Sequence, residues 1–223
     1  MSVVPSTFER CVFVNVPFDL PYLPLLHAIL FAIHDCGFIA RIAVEEIGSN
    51  ENRLAKIVRI IRESQFSIHD ICRVEISVDS PLPRFNMPFE CGLALGAIRY
   101  GNPDENRDFL LMVAEPFQEK RTLSDLAGQD AIAHRNDPKL VISAVRAFLS
   151  GKADADVKIR GAKAIWERYT QFNLGLERVC ERLELTVAEI ESFDYLSDWI
   201  KCMTAWLQRS RSGKAASKRN KRA

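Results

Sequence analysis

One glutamate stands alone in an apolar, small-residue segment near the middle of the chain. The segment is PRFNMPFECGLALG, residues 83–96, and its only acid is Glu90. Charged side chains are rarely buried without a partner or a task. A carboxylate held among apolar residues can stabilise a cation that develops on a substrate, so Glu90 is a candidate catalytic residue. The alternative is a glutamate that only interacts with the positive end of a helix dipole.

The residues around Glu90 predict a helix from about residue 87 to residue 100, ended by Gly101. If Asn86 or Met87 is the N-cap, Pro88 falls in the first turn and Glu90 is the third or fourth helical residue. Gly92 and Gly96 would let this helix approach the sheet or another helix closely. The pattern predicts that Glu90 is presented at the rim of a cleft.

Two further candidates lie in other segments of the chain. Asp70 ends a short predicted strand in QFSIHDICR, and ligands of open α/β sheets bind beyond the carboxyl ends of strands. Asp70 is therefore the second candidate catalytic residue, with a structural turn or cap aspartate as the alternative. In the loop NVPFDLPY, Phe18 and Tyr22 offer an aromatic edge for a base, although aromatic residues beside a strand end are more often core.

The elements that must position these residues alternate between strand and helix. Predicted strands are RCVFVNVPF, FIARIA, QFSIHDICR, DFLLMVAE and a weaker DAIAH; predicted helices include PYLPLLHAILFAIHDCG, SNENRLAKIVRIIRES and PKLVISAVRAFLS. This order predicts an α/β domain over residues 8–150, a doubly wound, flavodoxin-like parallel sheet of four or five strands. In the second helix we expect Ser49 or Asn50 as the cap, with one apolar face formed by Leu54, Ile57, Val58 and Ile61.

The region 155–208 predicts an α-helical hairpin that follows the α/β domain. Apolar residues recur every three or four positions in two runs, and Thr186 followed by Glu189 forms a capping-box pattern between them. The runs include Trp166, Trp199 and Trp206, more apolar surface than a hairpin buries on itself. We therefore expect a homo-oligomer through these helices. A hairpin packed on the α/β body or on a second subunit is the other interpretation of the same pattern.

Composition and charge exclude several classes of function. With 48% apolar residues the chain can bury a core, and it contains no membrane-length apolar run and no secretory signal, so a cytoplasmic protein without membrane contact is expected. No Gly-rich phosphate loop is present, which argues against dinucleotide redox chemistry and P-loop phosphoryl transfer. The scattered cysteines and histidines show no metal-ligand spacing, so no bound metal and no disulfide are predicted.

The last residues, 209–223, contain seven Lys or Arg and no acid. Such a segment predicts a disordered basic tail. It is either a solvated terminus or a weak contact for nucleic acid or another anionic partner.

Taken together, FVNVPFD, HDIC and PRFNMPFECGLALG resemble the superfamily of nucleoside deoxyribosyltransferases and TIR domains, over about residues 8–115. The resemblance implies cleavage or transfer of an N-glycosidic bond. By position it implies that Glu90 is the catalytic carboxylate, that Asp70 holds the ribose, and that Phe18 with Tyr22 receives the base. Asn15, in the first of these segments, is also predicted to bind the substrate.

The sequence differs from the deoxyribosyltransferase pattern just before Glu90. Those enzymes resemble one another in having another acid a few residues earlier, whereas here Arg84 and Asn86 occupy the stretch. A pyridinium base leaves without protonation, so one carboxylate would be enough. Arg84 could contact a phosphate and Asn86 could orient the sugar or Glu90.

The predicted function is hydrolysis of the N-glycosidic bond of NAD or a related nucleotide, with NAD as substrate and no cofactor. The protein is predicted to act as an effector in a bacterial defence or signalling system. Two alternatives stay open: a nucleotide or deoxynucleotide N-glycoside hydrolase or transferase of the same fold, and a non-catalytic nucleotide-sensing and oligomerisation module.

Overall fold

A single parallel sheet organises the computed structural model, which describes residues 7–44, 51–73, 85–126, 128–153 and 157–220. The strands are β1 Cys11–Asn15, β2 Ile39–Arg41, β3 Phe66–Asp70, β4 Asp108–Val113 and β5 Ile132–Ala133. They lie in the order β2-β1-β3-β4-β5, and every neighbouring pair is parallel. This is the flavodoxin-like strand order, so the predicted fold class is confirmed.

Helices cover both faces of this sheet. In the described ranges they are α1 Thr7–Arg10, α2 Leu23–Asp35, α3 Arg53–Arg62, α4 Asn86–Tyr100, α5 Gln118–Thr122, α6 Pro138–Ser150, α7 Ala162–Leu174, α8 Leu176–Leu183, α9 Val187–Ile190 and α10 Leu196–Asn220. Helices α2 and α6 pack together on the face that receives Val12 and Val14. Helices α3 and α4 cover the other face, where Phe13 is buried. No helix of the described ranges is both long and apolar enough to cross a bilayer.

The helix ends follow the local sequence signals in part. Gly37 comes directly after the C-cap of α2 with a φ of 93°, a conformation that glycine adopts without strain. Helix α3 begins after Asn52, whose side chain accepts a hydrogen bond from the Ala55 amide at 2.8 Å. The predicted caps Ser49 and Asn50 lie outside the described residues.

Two details of α3 and α4 differ from the predictions. On α3 the buried residues are Ile57, Ile60 and Ile61, whereas Leu54 and Val58 are exposed, because the face toward the sheet is rotated from the predicted one. On α4, a methyl group added at Gly92 or Gly96 would have no described neighbour within 4 Å. The predicted close approach at these two glycines is therefore wrong.

The C-terminal helices pack on the α/β body, as the alternative interpretation proposed. Trp199 on α10 is fully buried and stacks on His27 of α2, with ring centroids 4.1 Å apart and planes 5° from parallel. Trp166 and Trp206 are partly buried against the same core. Four helices stand where two were predicted, since the chain turns at Gly175 and after the one-turn α9. The capping box of Thr186 and Glu189 is present at the start of α9.

A buried ion pair joins the C-terminal helices to the end of α2. The Asp35 carboxylate lies 3.1 Å from Arg168 Nε and 3.4 Å from Arg160 Nη1. The three Trp side chains thus pack mostly against other residues of the same chain. The homo-oligomer stays a prediction, but these residues do not form the exposed apolar surface on which it was based. Helix α10 continues to Asn220 and includes most of the segment predicted to be a disordered tail; Ala, Lys and Arg, which are common there, favour helix.

Candidate active site

A cleft opens beyond the carboxyl end of β1, at the point where the strand order reverses. After β1 the chain moves to β2 on one side, and from β3 it moves to β4 and β5 on the other. The cleft has a volume of about 340 Å³ and is lined by Asn15, Val16, Phe18, Arg53, Phe85, Asn86, Met87 and Glu90. Its size is that of a small-molecule site. Four predicted site residues meet here: Asn15, Phe18, Asn86 and Glu90.

Glu90 is the buried acid of this cleft. Its side chain is 8% exposed, and its nearest charged partner is Arg53, whose Nη2 lies 3.8 Å from Oε1. Among the described residues no hydrogen-bond donor satisfies the carboxylate, which is unusual for a buried charged group. Burial raises the pKa of Glu90, and the Arg53 guanidinium opposes that increase.

The start of α4 lies earlier than predicted, and this moves Glu90 along the helix. Phe85 is the N-cap and makes no side-chain capping bond, so Asn86 is the first helical residue and Glu90 the fifth. The field of a helix end falls off within the first turn. At the fifth position the helix dipole stabilises the Glu90 carboxylate less than it would at the predicted third or fourth position. The dipole is therefore a weaker explanation for this buried acid.

A hydrogen-bond chain orients Asn15 at the wall of the cleft. Its Nδ2 donates to the Met87 carbonyl at 2.8 Å and lies 3.0 Å from Nδ1 of His69. Burial lowers the pKa of His69 to about 3, so the ring is neutral; Nδ1 accepts from the amide, and Nε2 donates to Ser67 Oγ at 2.9 Å. Both amide hydrogens of Asn15 are thus used, which leaves Oδ1 to accept a bond from a ligand.

Sequence reasoning missed His69 and Ser67. The signal that could have found them is the register of the sheet, because Asn15 pairs directly with His69 across β1 and β3. Residues in register on neighbouring strands point to the same face, where their side chains can interact.

Asp70 and Tyr22 do not line the cleft. Asp70 is fully buried on the opposite face of the sheet, where Oδ2 accepts from the Tyr22 hydroxyl at 2.5 Å and Oδ1 accepts from the Cys72 amide at 3.0 Å. His134 Nε2 lies 2.8 Å from the same Oδ2 atom. The contacts predicted for Asp70 with ribose and for Tyr22 with a base are therefore not available in this arrangement. The physical reason is that side chains alternate along a strand, so Asp70 and its neighbour His69 point to opposite faces.

The buried Asp70 carboxylate is stabilised by its partners. Burial alone would raise its pKa, but His134, Tyr22 and Cys72 together hold the pKa of Asp70 below its ordinary value. Burial and the nearby carboxylate raise the pKa of Tyr22 well above its ordinary value, so the phenol keeps its proton and donates it to Asp70. This cluster links the end of β3 to the loop that carries Phe18.

The same cluster brings three metal-binding residue types together, which the sequence spacing did not predict. The ligand atoms of Asp70, Cys72 and His134 lie within 4.8 Å of one another. However, His134 Nδ1 accepts a hydrogen bond from the Asn136 amide at 3.0 Å, so a ring proton is on Nε2, the atom that faces Asp70. Burial and Asp70 also raise the pKa of the Cys72 thiol, which stays protonated. The arrangement fits a hydrogen-bonded cluster better than a metal centre.

We expect Tyr22→Phe to reduce the free energy of unfolding by about 1.5–3 kcal/mol, since a buried hydrogen bond to a charged group is lost. Denaturant unfolding at neutral pH measures this change. Tyr195→Phe is the control, because Tyr195 also packs against the core but no contact between the described residues joins its hydroxyl to Asp70. Equal losses in the two variants would contradict the role assigned to the Tyr22 hydroxyl.

Aromatic rings border the cleft at two places. Phe18 lines it and packs edge-on against Phe193, with centroids 5.8 Å apart. Phe85, at the start of α4, also lines it and is 68% exposed. Phe85 thus takes the place of Tyr22 as the second ring available to a base. Arg84 lies outside the described residues, whereas Arg53, which sequence reasoning missed, contributes a guanidinium to the cleft.

No family model matches the chain, and neither the curated proteins nor the solved structures contain a significant match. The resemblance to deoxyribosyltransferases and TIR domains therefore depends on the three sequence segments alone and stays a prediction.

Proposed function

We propose that the protein is an N-glycosidase that cleaves NAD⁺ or a related nucleotide in the cleft beside β1 and α4. The observation that carries the proposal is Glu90, whose side chain is nine-tenths buried and lines the cleft, and whose carboxylate has no hydrogen-bond donor among the described residues. A site of this kind stabilises a positive charge that develops on a bound substrate.

The reaction breaks the bond between C1′ of the ribose and the base nitrogen. The electron pair of that bond goes to the base, so a pyridinium ring becomes neutral nicotinamide without receiving a proton. The ribose acquires oxocarbenium character, which the Glu90 carboxylate stabilises. Water then adds its oxygen to C1′ and loses a proton, for which Glu90 is the acceptor in the cleft.

Other residues of the cleft fit the parts of such a substrate. Oδ1 of Asn15 accepts a hydrogen bond from a ribose hydroxyl, and the exposed Asn86 can orient the sugar. Phe18 and Phe85 offer ring surfaces for the base. Asp70 contributes indirectly, because its bond to Tyr22 holds the base of the loop that carries Phe18.

The remaining parts of the hypothesis stay predictions. They are a cytoplasmic location, a role as a bacterial defence or signalling effector, a homo-oligomer, and an anionic partner for the basic C-terminal segment. None of them is needed for the chemistry of the cleft.

The proposal is tested by the products formed from a panel of substrates. We expect incubation with NAD⁺ to release free nicotinamide and ADP-ribose, measured by chromatography. Release of free base from purine or pyrimidine nucleotides but not from NAD⁺ would favour the nucleotide hydrolase of the same fold. Binding without any cleavage, at high protein concentration, would contradict the glycosidase and favour the nucleotide-sensing module.

A further inference from the structure

Among the described residues that line the cleft, Arg53 is the cation, and it is more exposed than the acid, Glu90. It is the first residue of α3, its side chain is 56% exposed, and it lines the same cleft as Glu90. The Glu90 side chain is almost enclosed, so the cleft has a negative interior wall and a positive mouth. A ligand that fits this charge distribution has a cationic or electron-poor centre next to Glu90 and an anionic group next to Arg53.

The guanidinium of Arg53 has free hydrogen-bonding capacity as far as the described residues are concerned. Its contact with Glu90 is an ion pair at 3.8 Å, longer than a hydrogen bond, and it has no other partner among the described residues. Because a guanidinium has five N–H donors, one edge can bind an oxyanion while the opposite edge still faces Glu90. The start of α3 adds the positive end of a ten-residue helix at the same place.

We infer that Arg53 binds a phosphate of the substrate, so that the cleft selects nucleotides over nucleosides. The inference rests on the proposed function, because it names the substrate class of the same site. It assigns to Arg53 the phosphate contact that the sequence suggested for Arg84. A bidentate Arg–phosphate contact has the geometry needed to discriminate a phosphorylated ligand from the same ligand without phosphate.

Equilibrium binding tests the inference without relying on turnover. The ligand pairs are nicotinamide mononucleotide with nicotinamide riboside, and AMP with adenosine, titrated into the Glu90→Gln protein and into the Glu90→Gln, Arg53→Gln double variant. We expect the single variant to bind the nucleotide of at least one pair about 10–100-fold more tightly than its nucleoside, and the double variant to lose that preference. Glu90→Gln combined with Arg62→Gln is the matched control, since Arg62 is exposed near the opposite end of the same helix.

Each outcome decides between the two proposals. The inference is supported if the preference for the nucleotide is lost with Arg53→Gln and retained with Arg62→Gln. Arg53→Lys should then restore part of the preference. Equal affinity for nucleotide and nucleoside, a preference that survives Arg53→Gln, or no binding of any of the four ligands overturns it. If the preference holds but the wild-type protein releases no base, the glycosidase fails while phosphate binding by Arg53 stands.

Discussion

Glu90→Gln is expected to reduce the rate of glycosidic cleavage by about 10²–10³-fold or more, the usual loss when one preorganised electrostatic group is removed from a reacting centre. Glutamine keeps the shape of the side chain but cannot carry the negative charge that faces the developing cation. The fold should be unaffected or slightly more stable, because a poorly solvated charge is removed from a buried position. Initial rates at saturating substrate and the melting temperature measure the two effects.

Glu119→Gln is the matched control for this prediction. Glu119 is as buried as Glu90, its Oε2 likewise has no described hydrogen-bond partner, and it does not line the cleft. The control should cleave at the parental rate. If Glu90→Gln turns over within about tenfold of the parent, less than removal of such a group costs, Glu90 is structural and the proposed mechanism is wrong.

Acidification from pH 7.5 to pH 5 is expected to lower the free energy of unfolding by about 6 kcal/mol through the buried His27 and His69 and the partly buried His34, roughly 2 kcal/mol each. Burial lowers the pKa of His27 and His69 to about 3 and that of His34 to about 4, from an ordinary value of 6.5. At pH 5 the unfolded chain binds these protons and the folded chain does not. The contribution of these histidines to the free energy of unfolding is therefore fully present above about pH 6.5 and is lost as the pH falls toward their folded-state pKa values. The raised pKa of Glu90 acts in the opposite direction and offsets a small part.

His27→Phe isolates one of these contributions. Phenylalanine can stack on Trp199 as the imidazole does, but it does not titrate. The difference in unfolding free energy between pH 7.5 and pH 5 should shrink by about 2 kcal/mol. Phe31→Leu, on the same helix, should lower stability at both pH values and leave the difference unchanged. Equal stability of the wild-type protein at the two pH values would show that the histidines are solvated.

Local sequence signals were sufficient for much of the fold. The continuous apolar residues of β1 and β4 predict strands covered on both faces, and such strands separated by helices imply a parallel sheet. Helix ends with strong signals, such as Gly37 and the pair Thr186 and Glu189, lie where they were expected. These features depend on residues close together in the chain, so a short segment contains the information that specifies them.

The candidate site, like the fold, could be predicted only in part from local sequence. Glu90 could be singled out from the sequence because an acid without a partner in an apolar segment is costly wherever the segment packs. Arg53, by contrast, is 37 positions away along the chain, and nothing in its own helix distinguishes it from Arg59 or Arg62. The packing of α3 against α4 brings it within 3.8 Å of Glu90.

By itself, then, the sequence determined the strands, most of the helices and the chemical character of Glu90, whereas only the tertiary structure decided which polar residues share the cleft. Asn15 and Asp70 both end strands at the same edge of the sheet, and the sequence placed them in one site. The pairing of Asn15 with His69 across β1 and β3 puts Asp70, the next residue, on the other face with Tyr22 and His134. Side chains alternate with a period of two, so a site at the end of a sheet depends on the register between strands, which packing sets over distances that no local pattern spans.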